Sequence, residues 1–209
     1  MLVRVLRTEE LSCDIIIAPI VKENFKDCTC FCDFFMSSCE SSHDKIAPMD
    51  FSKITEDLFI GTTPAPEDYG LLHDLGVRLV VNMRWEHRLR PDTHMEPLSF
   101  LWLRTMDSPF FPMPMRALQR GVLTALETIR AGGKVYAHCA GGRHRGVAMG
   151  AAILIAQGQT ADAAMSLIKA GRPVADPGVF YIRRRILRFE RQWHDSRSQR
   201  TSGQREQGV

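Results

Sequence analysis

No stretch of this chain reaches the roughly 18 consecutive apolar residues that a membrane-spanning helix requires. The apolar run near the N-terminus, Leu11 to Val21, is broken by Asp14 and preceded by Glu9 and Glu10, and no small-residue cleavage site follows it. A secretory signal is therefore not expected, and the chain reads as cytoplasmic. Charge of one sign is also in short supply. The formal net charge is +3, and its excess lies in Arg183, Arg184, Arg185, Arg188, Arg191, Arg197, Arg200 and Arg205, too spread out to argue for a nucleic-acid partner. Cysteine is scarce where a disulfide framework would need it: five of the six (Cys13, Cys28, Cys30, Cys32, Cys39) come early, and Cys139 stands alone. A lone thiol fits a reducing compartment. The early cluster, C-x-C-x-C and a distant cysteine, lacks the paired spacing of a zinc site, so no metal or other cofactor is expected.

What is present is enough for one good core, at 44% hydrophobic and 24% charged residues. Composition changes near Ala47, from a Cys-, Phe- and Ser-rich stretch without period to an orderly alternation of strand-like and helix-like segments. The division expected is a variable or disordered extension over 1–48, one folded domain over 49–194 and a basic disordered tail over 195–209. Within the domain, strands are predicted at 57–61, 77–83, 99–104 and 134–139. A helix at 65–76 has Pro66 in its first turn and Gly76 at its end. Polar or proline-rich loops are predicted at 84–97 and 105–114. Leu118, Val122, Leu126 and Ile129 mark an amphipathic helix closed by Gly132 and Gly133, and Ile182, Ile186, Phe189 and Trp193 mark a final one. Between them, 146–156 is apolar on every side, as a central buried helix would be, and Thr160 is placed to cap another running through Lys169. Strands separated by helices predict an α/β fold with a central, mostly parallel sheet flanked by helices.

The stretch "AHCAGGRHRG", residues 137–146, joins a predicted buried strand to the buried helix. In such sheets ligands bind beyond the carboxyl ends of the strands, and Cys139 stands at one of those ends. Ala140, Gly141 and Gly142 are small enough for a tight coil, so that the backbone amides of Ala140, Gly141, Gly142, Arg143, His144 and Arg145 can converge on one oxyanion. The helix start adds its positive end, a field that also favours a thiolate at Cys139. Arg145 can return to the centre and grip two phosphate oxygens with its planar fork. Each part alone has a plainer explanation as core, turn or solvated surface; the combination points to phosphate chemistry.

That His-Cys-x5-Arg loop resembles the signature of the cysteine-based protein tyrosine phosphatase superfamily, and its surroundings resemble the dual-specificity type. The likeness extends to "MDFSKITEDLFIGTTPAPEDYGLLHDLGVRLVVNMRWE" and to "AGRPVADPGVFYIRRRILRFERQW", covering roughly Asp50 to Trp193. It implies a protein tyrosine phosphatase-like fold and a cysteine-dependent phosphatase acting on phosphotyrosine, phosphoserine or phosphothreonine. Cys139 would attack phosphorus to form a cysteinyl-phosphate. Arg145 and the loop amides would hold the oxygens, and His138 would support the loop from beneath through hydrogen bonds. The family's acid, an aspartate about thirty residues before the cysteine, falls on Asp107, with Asp92 second and a turn-forming role as its plainer reading.

Two positions depart from the pattern. Gly146 stands where the family places a serine or threonine whose hydroxyl stabilises the departing thiolate, which implies slow breakdown of the phosphoenzyme. His144 replaces a small loop residue and is expected to narrow the pocket or touch substrate, while Arg143 adds a cation at its mouth. Three alternatives stay open: a phosphate-binding pseudophosphatase, a phosphatase acting on a phosphoinositide or other non-protein ester, and a sulfurtransferase or arsenate reductase using a similar loop. An interaction protein built on the two termini is a fourth. The expected partner is a phosphorylated protein or other phosphomonoester, with no nucleic acid and no membrane span, and the protein is expected to be a monomer.

Overall fold

The computed structural model describes residues 49–86 and 98–206. The cysteine-rich extension and Asp92 lie outside the described residues, as does most of the loop predicted at 84–97. Five strands form one sheet: β1 (Phe51–Lys53), β2 (Leu58–Gly61), β3 (Val77–Arg84), β4 (Ser99–Thr105) and β5 (Lys134–His138), in the order β1-β2-β5-β3-β4. All neighbouring pairs are parallel except β1 with β2. The mostly parallel sheet is as the sequence predicts. The antiparallel edge strand β1 is not, because three residues, two half-buried and one exposed, carry too little alternation to register. The described residues form five α-helices: α1 (Tyr69–Asp74), α2 (Met115–Arg130) and α3 (Arg145–Ala156) pack on the sheet, and α4 (Ala161–Gly171) and α5 (Phe180–Glu206) pack on α3.

Side-chain alternation along the strands sorts the core into two layers. Leu58, Ile60, Leu79, Val81, Val135, Ala137 and Cys139 face the larger cluster around α3, whose residues are buried along its whole length. Phe59, Val80 and Tyr136 face the smaller one with Tyr69 and Leu72 of α1. Val77 joins that smaller layer because the β3–β5 register shifts between Val77 and Leu79, a one-residue irregularity that turns the strand's faces over. The predicted ends hold: Gly76 leaves α1 at φ 86°, and Thr160 caps α4 by accepting the Ala163 amide at 3.2 Å.

The C-terminal segment departs from expectation. In place of a disordered tail from residue 195, α5 continues to Glu206, with only 207–209 outside the description. No proline interrupts this stretch, and arginine, glutamine and glutamate are good helix formers. Ser196 and Ser198 satisfy their hydroxyls inside the helix, on the carbonyls of Gln192 (2.8 Å) and His194 (3.1 Å).

Candidate active site

Because β2, β5, β3 and β4 are parallel, their carboxyl ends meet at one edge of the sheet, and each delivers a residue there. Thr63 follows β2, Arg84 ends β3 with Glu86 two residues beyond, Thr105 ends β4 with Asp107 two residues beyond, and Cys139 follows β5. Cys139 is 2% exposed on the α3 side of the sheet, and its carbonyl accepts the Thr63 hydroxyl at 3.3 Å. Thr63 in turn accepts from Arg84 Nη1 at 3.0 Å. His138, one residue earlier, points to the other layer, fully buried and stacked on Tyr136 with ring centroids 5.8 Å apart.

Beyond Cys139 the chain coils through Ala140, Gly141, Gly142 and Arg143 to His144, the residue before α3. Ala140, Gly141 and Arg143 are exposed and Gly142 is buried with φ +59°, a left-handed turn that glycine makes without penalty. The loop is braced from behind by Arg172, a fully buried arginine whose Nε donates to the Gly142 carbonyl at 2.9 Å. The Arg172 fork grips Asp50 through Nη1 (3.1 Å) and Nη2 (2.7 Å) and reaches Ser52 Oγ at 3.3 Å. That hydrogen bond, helped by the guanidinium charge, holds the Asp50 carboxyl below the usual carboxylate range. A second brace is the amide of Asp176, which donates to the Arg143 carbonyl at 2.9 Å.

Arg145 opens α3 and is nevertheless 5% exposed. Its Nη1 donates to the Thr105 carbonyl at 2.9 Å, and Glu86 Oε2 lies 3.7 Å from the same nitrogen. Glu86 is held below its usual range by its own backbone amide first, and also by Arg84 and Arg145. Arg145 Nε is buried without a hydrogen-bond partner; Asp107 Oδ2, at 3.6 Å, is beyond bonding distance. Asp107, in the proline-rich loop after β4, thus comes to the signature loop from 32 residues before the cysteine in sequence (139 − 107). There it meets His144 Nδ1 at 3.2 Å through Oδ2 and accepts the Tyr181 hydroxyl at 2.7 Å through Oδ1.

The sequence-predicted residues Asp107, His144 and Arg145 are therefore in mutual contact, with Cys139 at the head of the same loop. Sequence reasoning missed Arg172, Asp50, Thr63, Arg84, Glu86 and Tyr181. Their signals were weak: Arg172 stands in an Arg-Pro pair that gives no hint of burial, and Tyr181 is one aromatic in an arginine-rich helix. Gly146 fits a close approach, since a Cβ there would lie 3.3 Å from the Ala137 carbonyl oxygen and from His138 backbone carbons. A side chain at this position would need α3 or β5 to give by a few tenths of an ångström.

Chemically, this edge offers a thiol at a strand end, a pinned guanidinium with an unused buried donor, and a carboxyl group poised beside it. Among the described residues no group of three or more His, Cys, Asp or Glu side chains could hold a metal ion, and no helix is long and apolar enough to cross a membrane.

No protein-family model matches the chain. Among curated proteins it is similar to mouse (Mus musculus) dual specificity phosphatase 28, at 29% identity over 134 residues, covering 64% of this chain and 80% of the relative. Among solved structures it resembles a mouse putative dual specificity phosphatase complexed with zinc tungstate, at 26% identity and a TM-score of 0.63, covering 73% of this chain and 93% of the other. It also resembles a single-substitution variant of human DUSP28 (25% identity, TM-score 0.62, 71% of this chain and 99% of that one). A third is PTPMT1, at 25% identity and a TM-score of 0.61, covering 74% and 99% of the two chains.

Proposed function

We propose, from its resemblance to dual-specificity phosphatases, that this chain hydrolyses phosphomonoesters on phosphotyrosine, phosphoserine or phosphothreonine in the cytoplasm through a cysteinyl-phosphate on Cys139. The observation that carries this reading is the buried Nε of Arg145, which has no hydrogen-bond partner and only the Asp107 carboxyl oxygen 3.6 Å away, on the loop that Cys139 begins. A buried donor without a partner is costly, and a phosphate oxygen is the acceptor that removes the cost. Tungstate, named with the similar mouse protein, is a tetrahedral oxyanion of the same kind.

In the first step the Cys139 sulfur attacks phosphorus in line while Asp107 protonates the leaving oxygen. Arg145 and the loop amides of Ala140, Gly141, Gly142, Arg143 and His144 hold the equatorial oxygens as charge builds on them. Water then attacks the cysteinyl-phosphate with Asp107 as base. His138, packed under the strand end, fixes where Cys139 begins its loop, and Arg172 keeps the Gly142 turn closed. Gly146 supplies no hydroxyl for the departing thiolate, so the second step is the slower one.

Hydrolysis of p-nitrophenyl phosphate in the presence of EDTA tests this. Wild type turns over and Cys139→Ser does not, and on phenyl phosphate, whose leaving group is poor, Asp107→Asn loses about 100-fold or more. Turnover that survives Cys139→Ser would sink the proposal.

A further inference from the structure

His144 does not perform the task usual for the residue ahead of a helix. Its ring makes no capping bond to α3. It is turned toward the acid loop instead, where Nδ1 meets Asp107 Oδ2 at 3.2 Å and the Tyr181 oxygen at 3.3 Å. The Tyr181 ring stands edge-on to the imidazole, centroids 6.0 Å apart, and its hydroxyl also reaches Asp107 Oδ1 at 2.7 Å. Three side chains from three segments thus close a triangle around one carboxyl group.

We propose that His144 is a second proton-carrying residue of the active site, sharing one proton with Asp107 and restoring it after each transfer, with Tyr181 as the positioning residue of the pair. This rests on the reading of Asp107 as the acid. An imidazole nitrogen can both give and take a proton, and Nδ1 lies in hydrogen-bond contact with the carboxyl oxygen that has to be reloaded after each transfer.

In the first step the S–P bond forms as the P–O bond to the leaving group breaks. The one shared proton passes from Nδ1 through the Asp107 carboxyl group to the leaving oxygen, so the pair ends as carboxylate and neutral imidazole. Nδ1 can then accept the Tyr181 hydroxyl, which lies within reach of both partners. In the second step the water oxygen bonds to phosphorus as the S–P bond breaks, and one water proton passes through Asp107 back to Nδ1. The products are an alcohol and phosphate, and the pair is unchanged.

The surrounding charges fit this cycle. Tyr181, on α5, is pushed up to about 12 by burial and by its bond to Asp107, so it remains a donor throughout. Arg145 faces Asp107 from His144's own side, with Glu86 beyond it, and Arg143 precedes His144 in the loop. Asp176 approaches from the segment before α5 through its bond to Arg143, and Cys139 heads the loop.

The test compares kcat/KM against pH for phenyl phosphate, a poor leaving group, and p-nitrophenyl phosphate, a good one, in the full chain. This ratio reports the first step whatever the fate of the phosphoenzyme. His144→Asn and His144→Gln, which keep a donor but cannot titrate, should move the alkaline limb for phenyl phosphate to lower pH. Near neutrality they should lose about 10-fold with that substrate and less than about 3-fold with p-nitrophenyl phosphate. Tyr181→Phe should weaken phenyl phosphate hydrolysis without moving the limb. An unmoved limb with equal losses on both substrates in both His144 variants would overturn the proposal. If Asp107→Asn separates the two substrates and the His144 variants do not, only this proposal fails. If Asp107→Asn does not separate them, the acid reading fails and the proposal with it.

Discussion

At Gly142 three demands meet on one residue. The backbone is left-handed, at φ +59°, and a Cβ would lie 2.7 Å from both Arg172 Nη2 and the Gly61 carbonyl carbon. The arginine tip can move, but the Gly61 backbone is held in β2 and cannot. Gly141, its neighbour, has only the Arg143 side chain nearby, at 3.8 Å. Gly142→Ala should therefore cost about 2–3 kcal/mol in urea unfolding and cut kcat/KM sharply, while Gly141→Ala stays within about 0.5 kcal/mol in stability. Equal stability losses from the two would show that the turn's handedness is not what holds the loop. His144 makes the complementary point, because its significance comes from what it touches: in sequence it is an odd residue in a familiar loop, and in space it is a contact of Asp107.

Among the elements, those with a strong period were legible. The α2 stripe, the wholly apolar α3 and the β3 and β5 runs are long and buried, so hydrophobic pattern alone locates them. The loop from Cys139 to Arg145 was legible for a different reason, since Cys139, the small residues and Arg145 are close together in sequence. The braces were not, because they join residues far apart: Arg172 and Asp50 are separated by 122 positions, and Tyr181 and Asp107 by 74. β1 was missed for its shortness, yet it matters, since Ser52 and the adjoining Asp50 anchor Arg172. Arg172→Lys keeps the charge and loses the fork, so it should lower stability by about 2 kcal/mol and reduce kcat/KM. The effect has a pH signature. Asp50 is held below its unfolded value, so its stabilisation is complete above about pH 4 and is lost as the pH falls through the lower folded value. The stability gap between wild type and Asp50→Asn, measured by urea unfolding, should be flat from neutral pH to about pH 5 and shrink below about pH 4. A gap independent of pH down to full acid unfolding would contradict the Arg172–Asp50 brace.

On the scale of the whole molecule, one topological fact organises the account. Four parallel strands bring their carboxyl ends to a single edge, so that residues spread from Thr63 to Cys139 converge, and α5 adds Tyr181 from outside the sheet. The central claim is that Cys139 carries the phosphoryl group between substrate and water, and that Gly146 makes its release slow. The most direct measurement is rapid acid quench of the wild-type protein during p-nitrophenyl phosphate hydrolysis, followed by mass spectrometry of the peptide that contains Cys139. The account predicts a phosphate adduct on Cys139 that forms within the first turnover and persists while substrate lasts. Steady release of phosphate with Cys139 unmodified at every time point would contradict it.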